Sequence, residues 1–107
     1  MSFFNLFKMP DINEGIEQFK NTKNAVLIDV RTKEEYDEGY IEGSINIPLD
    51  NLRDVENVVP DKNTPIFVHC LSGSRSASAT KGLTMLGYTK VNNIGGIYGY
   101  KGKIVRD

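Results

Sequence analysis

The sequence predicts an α/β domain, in which helices cover both faces of a mainly parallel sheet. Strand-like and helix-like segments alternate along the 107 residues, and such alternation favours right-handed crossovers between parallel strands. The strand-like segments 25–30 and 65–69 are apolar runs without alternation, as expected for parallel strands buried on both faces. The length suits one domain, so we expect a single unit over residues 1–107.

Capping residues, apolar spacing and turn residues define the elements in order. Strand-like composition is found in the segments 25–30, 44–47, 65–69 and 90–94. Helical signals are found in the segments 12–19, 32–37, 50–59 and 76–86. Asp11 and Thr32 each precede a glutamate by three residues, a spacing typical of a capping box. Asp50 is the expected cap of the third helix.

Composition and charge exclude several classes of function. The net charge of −1, from 13 basic and 14 acidic residues, does not favour binding to nucleic acid or to a membrane surface. One cysteine and one histidine exclude an internal disulfide and argue against a metal centre, so we expect no metal and no cofactor. No apolar run is long enough to span a membrane.

The first eight residues are too short and too interrupted for a secretory signal, and we expect their phenylalanines to pack onto the domain. A lone cysteine suits a reducing compartment. The predicted location is therefore cytoplasmic.

The loop that follows the segment 65–69 carries the reactive groups of the chain. Cys70 lies where a buried strand gives way to a helix, whose free amides and dipole lower the pKa of a thiol. Gly73 lets the loop curl into an anion-binding nest, and Arg75 adds a cation. Hydroxyl groups come from Ser72, Ser74 and Ser76. A buried, inert Cys70 is the alternative, but the neighbouring glycine, serines and arginine favour a nucleophile.

Four segments resemble the rhodanese-like family. The loop Cys70-Leu-Ser-Gly73-Ser-Arg75-Ser76 resembles the C-x-x-G-x-R-S active loop of that family. The segments 27–36, 39–48 and 93–97 resemble its D-V-R-x-x-x-E-[FY], G-H-I-x-G-A-x-N-I-P and L-x-G-G segments, in the same order. The resemblance implies a three-layer rhodanese-like fold, with a central mainly parallel sheet of about five strands flanked by helices. The chain departs from the family pattern at Tyr40, where His is frequent, and at Tyr98 and Tyr100, where Trp often follows the two glycines.

The predicted site residues fall into three groups. Cys70 and Arg75 are the predicted catalytic pair. The predicted substrate-binding residues are Leu71, Ser72, Gly73, Ser74, Ser76 and Arg31. The predicted supporting residues are Asp29, Gly95 and Gly96. For Arg31, an ion pair that only braces the structure is an open alternative. His69 is left out because adjacent strand residues point to opposite faces of a sheet.

The resemblance implies sulfur transfer. Four residues separate Cys70 from Arg75, whereas cysteine-dependent phosphatases with a similar cradle use five. We expect Cys70 to take a sulfane sulfur from thiosulfate, a persulfide or a polysulfide and to pass it to a thiol or cyanide. No second cysteine can resolve the persulfide, so the acceptor is external, a small molecule or an acceptor protein. The alternatives are a phosphatase or arsenate-reductase-like enzyme, a non-catalytic binding or regulatory module, and a persulfide carrier for one partner.

Overall fold

A four-stranded parallel sheet forms the centre of the computed structural model, which describes residues 10–107. Its strands are β1 (Val26–Asp29), β3 (Ser44–Asn46), β4 (Ile66–Cys70) and β5 (Val91–Gly96). Their order across the sheet is β3-β1-β4-β5. All four overlap segments with predicted strand character, although β4 and β5 extend one and two residues beyond theirs, and this confirms the α/β class. The expected packing of the first eight residues lies outside the described part of the chain.

The short strands β2 (Tyr40–Ile41) and β6 (Ile104–Val105) form a separate antiparallel pair. Neither strand was predicted from the sequence, because a two-residue strand has no periodicity to detect. The central sheet consequently has four strands rather than the expected five or so.

Within the described residues, four α-helices accompany the central strands. They are α1 (Ile12–Lys20), α2 (Lys33–Glu38), α3 (Val55–Val58) and α4 (Ser74–Met85). The capping box of Thr32 and Glu35 is present at the start of α2. The expected Asp50 cap is wrong, because a 3₁₀ segment, Leu49–Asp54, precedes α3 and has no side-chain cap. Helix α4 begins two residues before the predicted position, so Arg75 lies in its first turn.

Apolar residues from alternate strand positions form one cluster on each face of the sheet. Ile28, Val68 and Cys70 pack with Ala79 and Leu83 of α4. On the other face, Leu27 and Phe67 pack against α1. The sheet is therefore covered on both sides, as the uninterrupted apolar runs predicted. Among residues 10–107, no helix is long and apolar enough to cross a membrane.

Candidate active site

The candidate site lies at the carboxyl ends of the central strands. Strand β4 ends at Cys70 and α4 begins at Ser74, so a three-residue loop joins them. The adjacent strand β1 ends at Asp29, in register with His69. In parallel sheets, ligand sites form beyond this edge because the crossover connections leave a crevice there. The fold therefore places the predicted nucleophile where binding sites commonly form.

The sulfur of Cys70 is held by the curled loop. The backbone N–H of Gly73 donates to Sγ at 3.0 Å, and the thiol donates to Ser76 Oγ at 3.5 Å. Burial alone raises the pKa of the thiol. Hydrogen bonding to the Ser76 hydroxyl and to the backbone amides of Ser76, Gly73 and Ser72 outweighs burial and lowers the pKa of Cys70 below its ordinary value. The site therefore stabilises a thiolate.

The first turn of α4 reinforces this effect. Gly73 is the N-cap residue, and its φ of +109° is in the left-handed region that glycine adopts without strain. No side-chain cap satisfies the first amides of α4. The loop consequently directs N–H groups and the positive end of the helix dipole towards the sulfur.

Arg75 does not point freely into solvent but forms a bidentate ion pair with Glu35 of α2. The two N–O distances are 2.7 and 3.0 Å, from Nη1 to Oε1 and from Nη2 to Oε2. This pairing with Arg75 lowers the pKa of Glu35 to about 2. The loop's cation is thus largely neutralised and its helix is tied to α2. The sequence predicts Glu35 only as a capping residue and gives no sign of this pairing, although Glu35 is the glutamate of the D-V-R-x-x-x-E pattern.

Asp29 and Arg31 form a buried pair beside the loop. Arg31 Nη2 donates to Asp29 Oδ2 at 2.7 Å and to the carbonyl of Gly39 at 2.8 Å. The side chains of Arg31 and Asp29 are 6% and 0% exposed. This geometry favours the bracing alternative for Arg31 over substrate binding, and it fits the predicted supporting role of Asp29.

His69 lies on the opposite face of β4 from Cys70, as strand alternation requires. It is fully buried, and its Nε2 is 3.8 Å from Asp29 Oδ2. Burial lowers the pKa of His69, so the ring is neutral near pH 7. This position gives His69 no contact with the sulfur.

The end of β5 supports the active loop from one side. A Cβ on Gly96 would lie 2.2 Å from the Leu71 carbonyl oxygen and 2.7 Å from Ser72 Cα. Only glycine therefore allows β5 and the loop to approach so closely. Gly95, with φ +98°, accepts from Ser76 Oγ at 3.4 Å through its carbonyl. Both glycines contact the loop, in keeping with their predicted supporting role.

A cavity of about 730 Å³ opens beside the loop. Its wall includes six predicted site residues, Leu71, Ser72, Gly73, Ser74, Gly95 and Gly96, together with Tyr98. Cys70 itself is fully buried. Since Gly73 both lines the cavity and bonds the sulfur, Sγ lies directly behind this wall.

Ser76 and Tyr40 lie away from the cavity wall, as do Asp29, Arg31 and Arg75. Ser76 is fully buried behind the loop and contacts the sulfur rather than the cavity. Tyr40 stacks on Tyr36 with ring centroids 4.5 Å apart, and it is not among the cavity-lining residues. In the described range 10–107, no cluster of three or more His, Cys, Asp or Glu side chains could hold a metal ion.

An α/β sheet with a stabilised cysteine in a curled, amide-rich loop is an arrangement suited to cysteine-based group transfer. The family model for the Rhodanese-like domain matches residues 13–103, and the chain belongs to that family. Thiosulfate sulfurtransferase PspE of Escherichia coli is 42% identical over 71 residues, covering 65% of this chain and 68% of PspE.

Two further similarities agree with this family. Adenylyltransferase and sulfurtransferase uba4 of Ogataea parapolymorpha is 38% identical over 81% of this chain, which spans only 23% of that protein. The solved structure of a rhodanese with anions from E. coli matches with a TM-score of 0.72 and 37% identity, covering 78% of this chain and 99% of that one. These relatives support a sulfurtransferase class for the chain at the level of the family.

Proposed function

We propose that this protein moves a sulfane sulfur from thiosulfate, or from a persulfide or polysulfide, to a thiol or cyanide acceptor through a persulfide on Cys70. The observation that carries the proposal is the environment of the sulfur. Gly73 N–H donates to it at 3.0 Å, and the hydrogen bonds of the loop outweigh burial to lower the pKa of Cys70. A thiolate at such a position is an activated nucleophile.

The reaction proceeds in two half-reactions. The Cys70 thiolate attacks the outer sulfur of thiosulfate, and a new S–S bond forms as the old one breaks. Sulfite leaves with the electron pair, and Cys70 holds a persulfide. The acceptor then attacks the outer sulfur, and Cys70 leaves as a thiolate. No external oxidant or reductant is needed, and the scheme predicts ping-pong kinetics.

The loop performs the electrostatic part of this chemistry. Negative charge develops on Sγ or on the outer sulfur at every stage, and the amides of the loop and of the first turn of α4 are oriented to meet it. We assign Arg75 a positioning role, since its ion pair with Glu35 fixes the far end of the loop. The lone cysteine suits a reducing compartment, and we place the reaction in the cytoplasm.

The test is the intact mass of the reduced protein after incubation with thiosulfate. We expect the wild type to gain one sulfur atom and Cys70→Ser to gain none. No gain with thiosulfate would remove that donor, and polysulfide is then the second donor to test. No gain with either donor would overturn the proposal and favour a binding module.

A persulfide carrier for one partner protein is the second candidate function. Two observations favour this function. Cys70 is completely buried behind the loop, and two apolar side chains at the surface there are exposed, Leu71 to 43% and Tyr98 to 88%. Contact with a partner at these side chains would open the loop. A carrier would turn over slowly with cyanide, yet transfer sulfur rapidly to its partner. Fast turnover with cyanide would exclude this function.

A further inference from the structure

The Ser76 hydroxyl faces more hydrogen-bond acceptors than it can serve. Ser76 is fully buried, and its Oγ has four polar neighbours. They are Asn93 Oδ1 at 2.7 Å, the carbonyls of Gly73 at 3.0 Å and Gly95 at 3.4 Å, and Cys70 Sγ at 3.5 Å. A serine hydroxyl has one proton to donate. These neighbouring atoms therefore compete for the single Ser76 proton.

The side chain of Asn93 is oriented by its own turn. The N–H of Gly95 donates to Oδ1 at 3.0 Å, which identifies that atom as the oxygen and leaves it unable to donate to Ser76. Asn93 lies opposite Val68 in the sheet, whereas the next paired residue of β5 is Gly95, so the strand bulges at Ile94. Since Val68 faces α4, the same side of the sheet brings Asn93 to Ser76.

The protonation state of Cys70 changes this competition. A thiol donates to Ser76 Oγ, so the Ser76 proton is free to bond Asn93, the nearest acceptor. A thiolate can only accept, and its charge attracts the Ser76 proton. When the thiolate forms, the Ser76 proton turns to Cys70 Sγ and the hydrogen bond between Ser76 and Asn93 is broken.

We infer that Asn93 is a positioning residue of the sulfur-transfer reaction, one that holds the Ser76 proton away from Cys70 except when Cys70 is a thiolate. The inference rests on the proposed function for its place in the reaction. In the persulfide the negative charge moves to the outer sulfur, so the Ser76 proton returns to Asn93. Asn93 thereby favours the persulfide over the free thiolate and increases the nucleophilicity of Cys70.

Other charged groups lie near Cys70 without bonding its sulfur. Arg75 of α4 is paired with Glu35 of α2. Asp29, at the end of β1, is paired with Arg31. On β4, the neutral His69 lies on the opposite face. On the β5 side, the polar neighbours of Sγ and Ser76 are the side chain of Asn93 and the Gly95 carbonyl, which do not titrate.

The test is the pKa of Cys70 in Asn93→Ala, measured from the ultraviolet absorbance of the thiolate with Cys70→Ser as the blank. Removing Asn93 Oδ1, the nearest of the acceptors that compete for the Ser76 proton, should lower the pKa of Cys70 by about 0.5 to 1 unit, the effect of one hydrogen bond. A less basic thiolate is also a weaker nucleophile, so thiosulfate loading at a pH well above the pKa should slow about two- to threefold. If Asn93 contributed only to folding, its removal would not lower both the pKa of Cys70 and the rate of thiosulfate loading at high pH.

Ser76→Ala provides the matched control. It removes the donor to the thiolate and should raise the pKa of Cys70, and adding Asn93→Ala to it should then change nothing further. An unchanged pKa in Asn93→Ala, or the same shift with and without the Ser76 hydroxyl, would overturn the inference.

Asn93→Ser keeps the test available if the alanine variant does not fold. The serine hydroxyl can still accept a hydrogen bond from Gly95 N–H, because Ser and Asn side chains both bond the backbone N–H two residues further along the chain. The shorter side chain of serine does not reach Ser76. It should lower the pKa of Cys70 in the same way, and an unchanged value would again overturn the inference. The absorbance measurement involves no sulfur donor. Its failure therefore removes the role of Asn93, whereas failure of the mass test removes the proposed function.

Discussion

Substitution of Gly96 by alanine tests whether β5 shapes the active loop. The new Cβ would lie 2.2 Å from the Leu71 oxygen and 2.7 Å from Ser72 Cα. Both contacts are with backbone, so the loop itself must shift. Overpacking of this kind costs about 1–3 kcal/mol, which for a domain of this size lowers Tm by roughly 4–15 °C.

The shift of the loop should also weaken the bond from Gly73 N–H to the sulfur. A hydrogen bond to a charged group contributes about 1.5–3 kcal/mol, so partial loss should raise the pKa of Cys70 by about one unit. The assays are thermal unfolding and the thiolate absorbance as a function of pH. We expect sulfur loading from thiosulfate near pH 7 to slow, though by less than the fall in the thiolate fraction, because the more basic thiolate is a stronger nucleophile.

Gly99→Ala is the matched control, because its Cβ would meet Ile12 Cγ2 at an ordinary 3.8 Å. It should leave the pKa of Cys70 unchanged. A Gly96→Ala variant with the Tm and Cys70 pKa of the wild type would refute the argument that close approach of β5 holds the loop in place.

Three further predictions concern stability, each measured by urea unfolding. Glu35→Gln keeps the capping geometry but removes the negative charge that is paired with Arg75. The pKa of Glu35 in the folded protein is about 2, below its ordinary value of 4.5. The ion pair therefore stabilises the fold above pH 4.5, and this stabilisation is lost as the pH falls towards 2. The variant should lose at most about 1 kcal/mol at pH 7, and an equal acid sensitivity in both proteins would contradict this. Arg31→Ala should cost about 3–5 kcal/mol by leaving a buried carboxylate unpaired. Lys33→Ala, at an exposed ion pair, should leave the free energy of unfolding almost unchanged, and similar losses in the two variants would refute the contrast. Leu83→Ala, at a fully buried position, should cost about 2–5 kcal/mol, and a loss below 1 kcal/mol would show that α4 is loosely packed.

The order of elements could be predicted because it depends on local signals. The apolar runs before Asp29 and Cys70 became β1 and β4, and the box of Thr32 and Glu35 opened α2. Element ends were less predictable. The start of α4 moved from Ser76 to Ser74, since a left-handed glycine took the capping position in place of a polar side chain.

The candidate site was only partly predictable. The sequence placed Cys70, Gly73 and Arg75 in one loop, and the structure keeps them together at the start of α4. It did not predict that Arg75 is paired with Glu35, 40 residues away in the chain. Nor could it distinguish a substrate-binding Arg31 from the braced and buried one that the structure contains. Each of these points depends on which elements are neighbours in space.

By itself, the sequence determined the alternation of strands and helices and the presence of a cysteine loop at a strand end. Hydrophobic runs, caps and glycines specify these features through short-range sterics and hydrogen bonds. Tertiary structure alone decided three contacts: the salt bridge of Arg75 with Glu35, the approach of Gly96 to the loop, and the bond between Ser76 and Asn93. The reason is that strand register, a bulge and helix packing set the distances between residues far apart in the chain, and no local pattern encodes those distances.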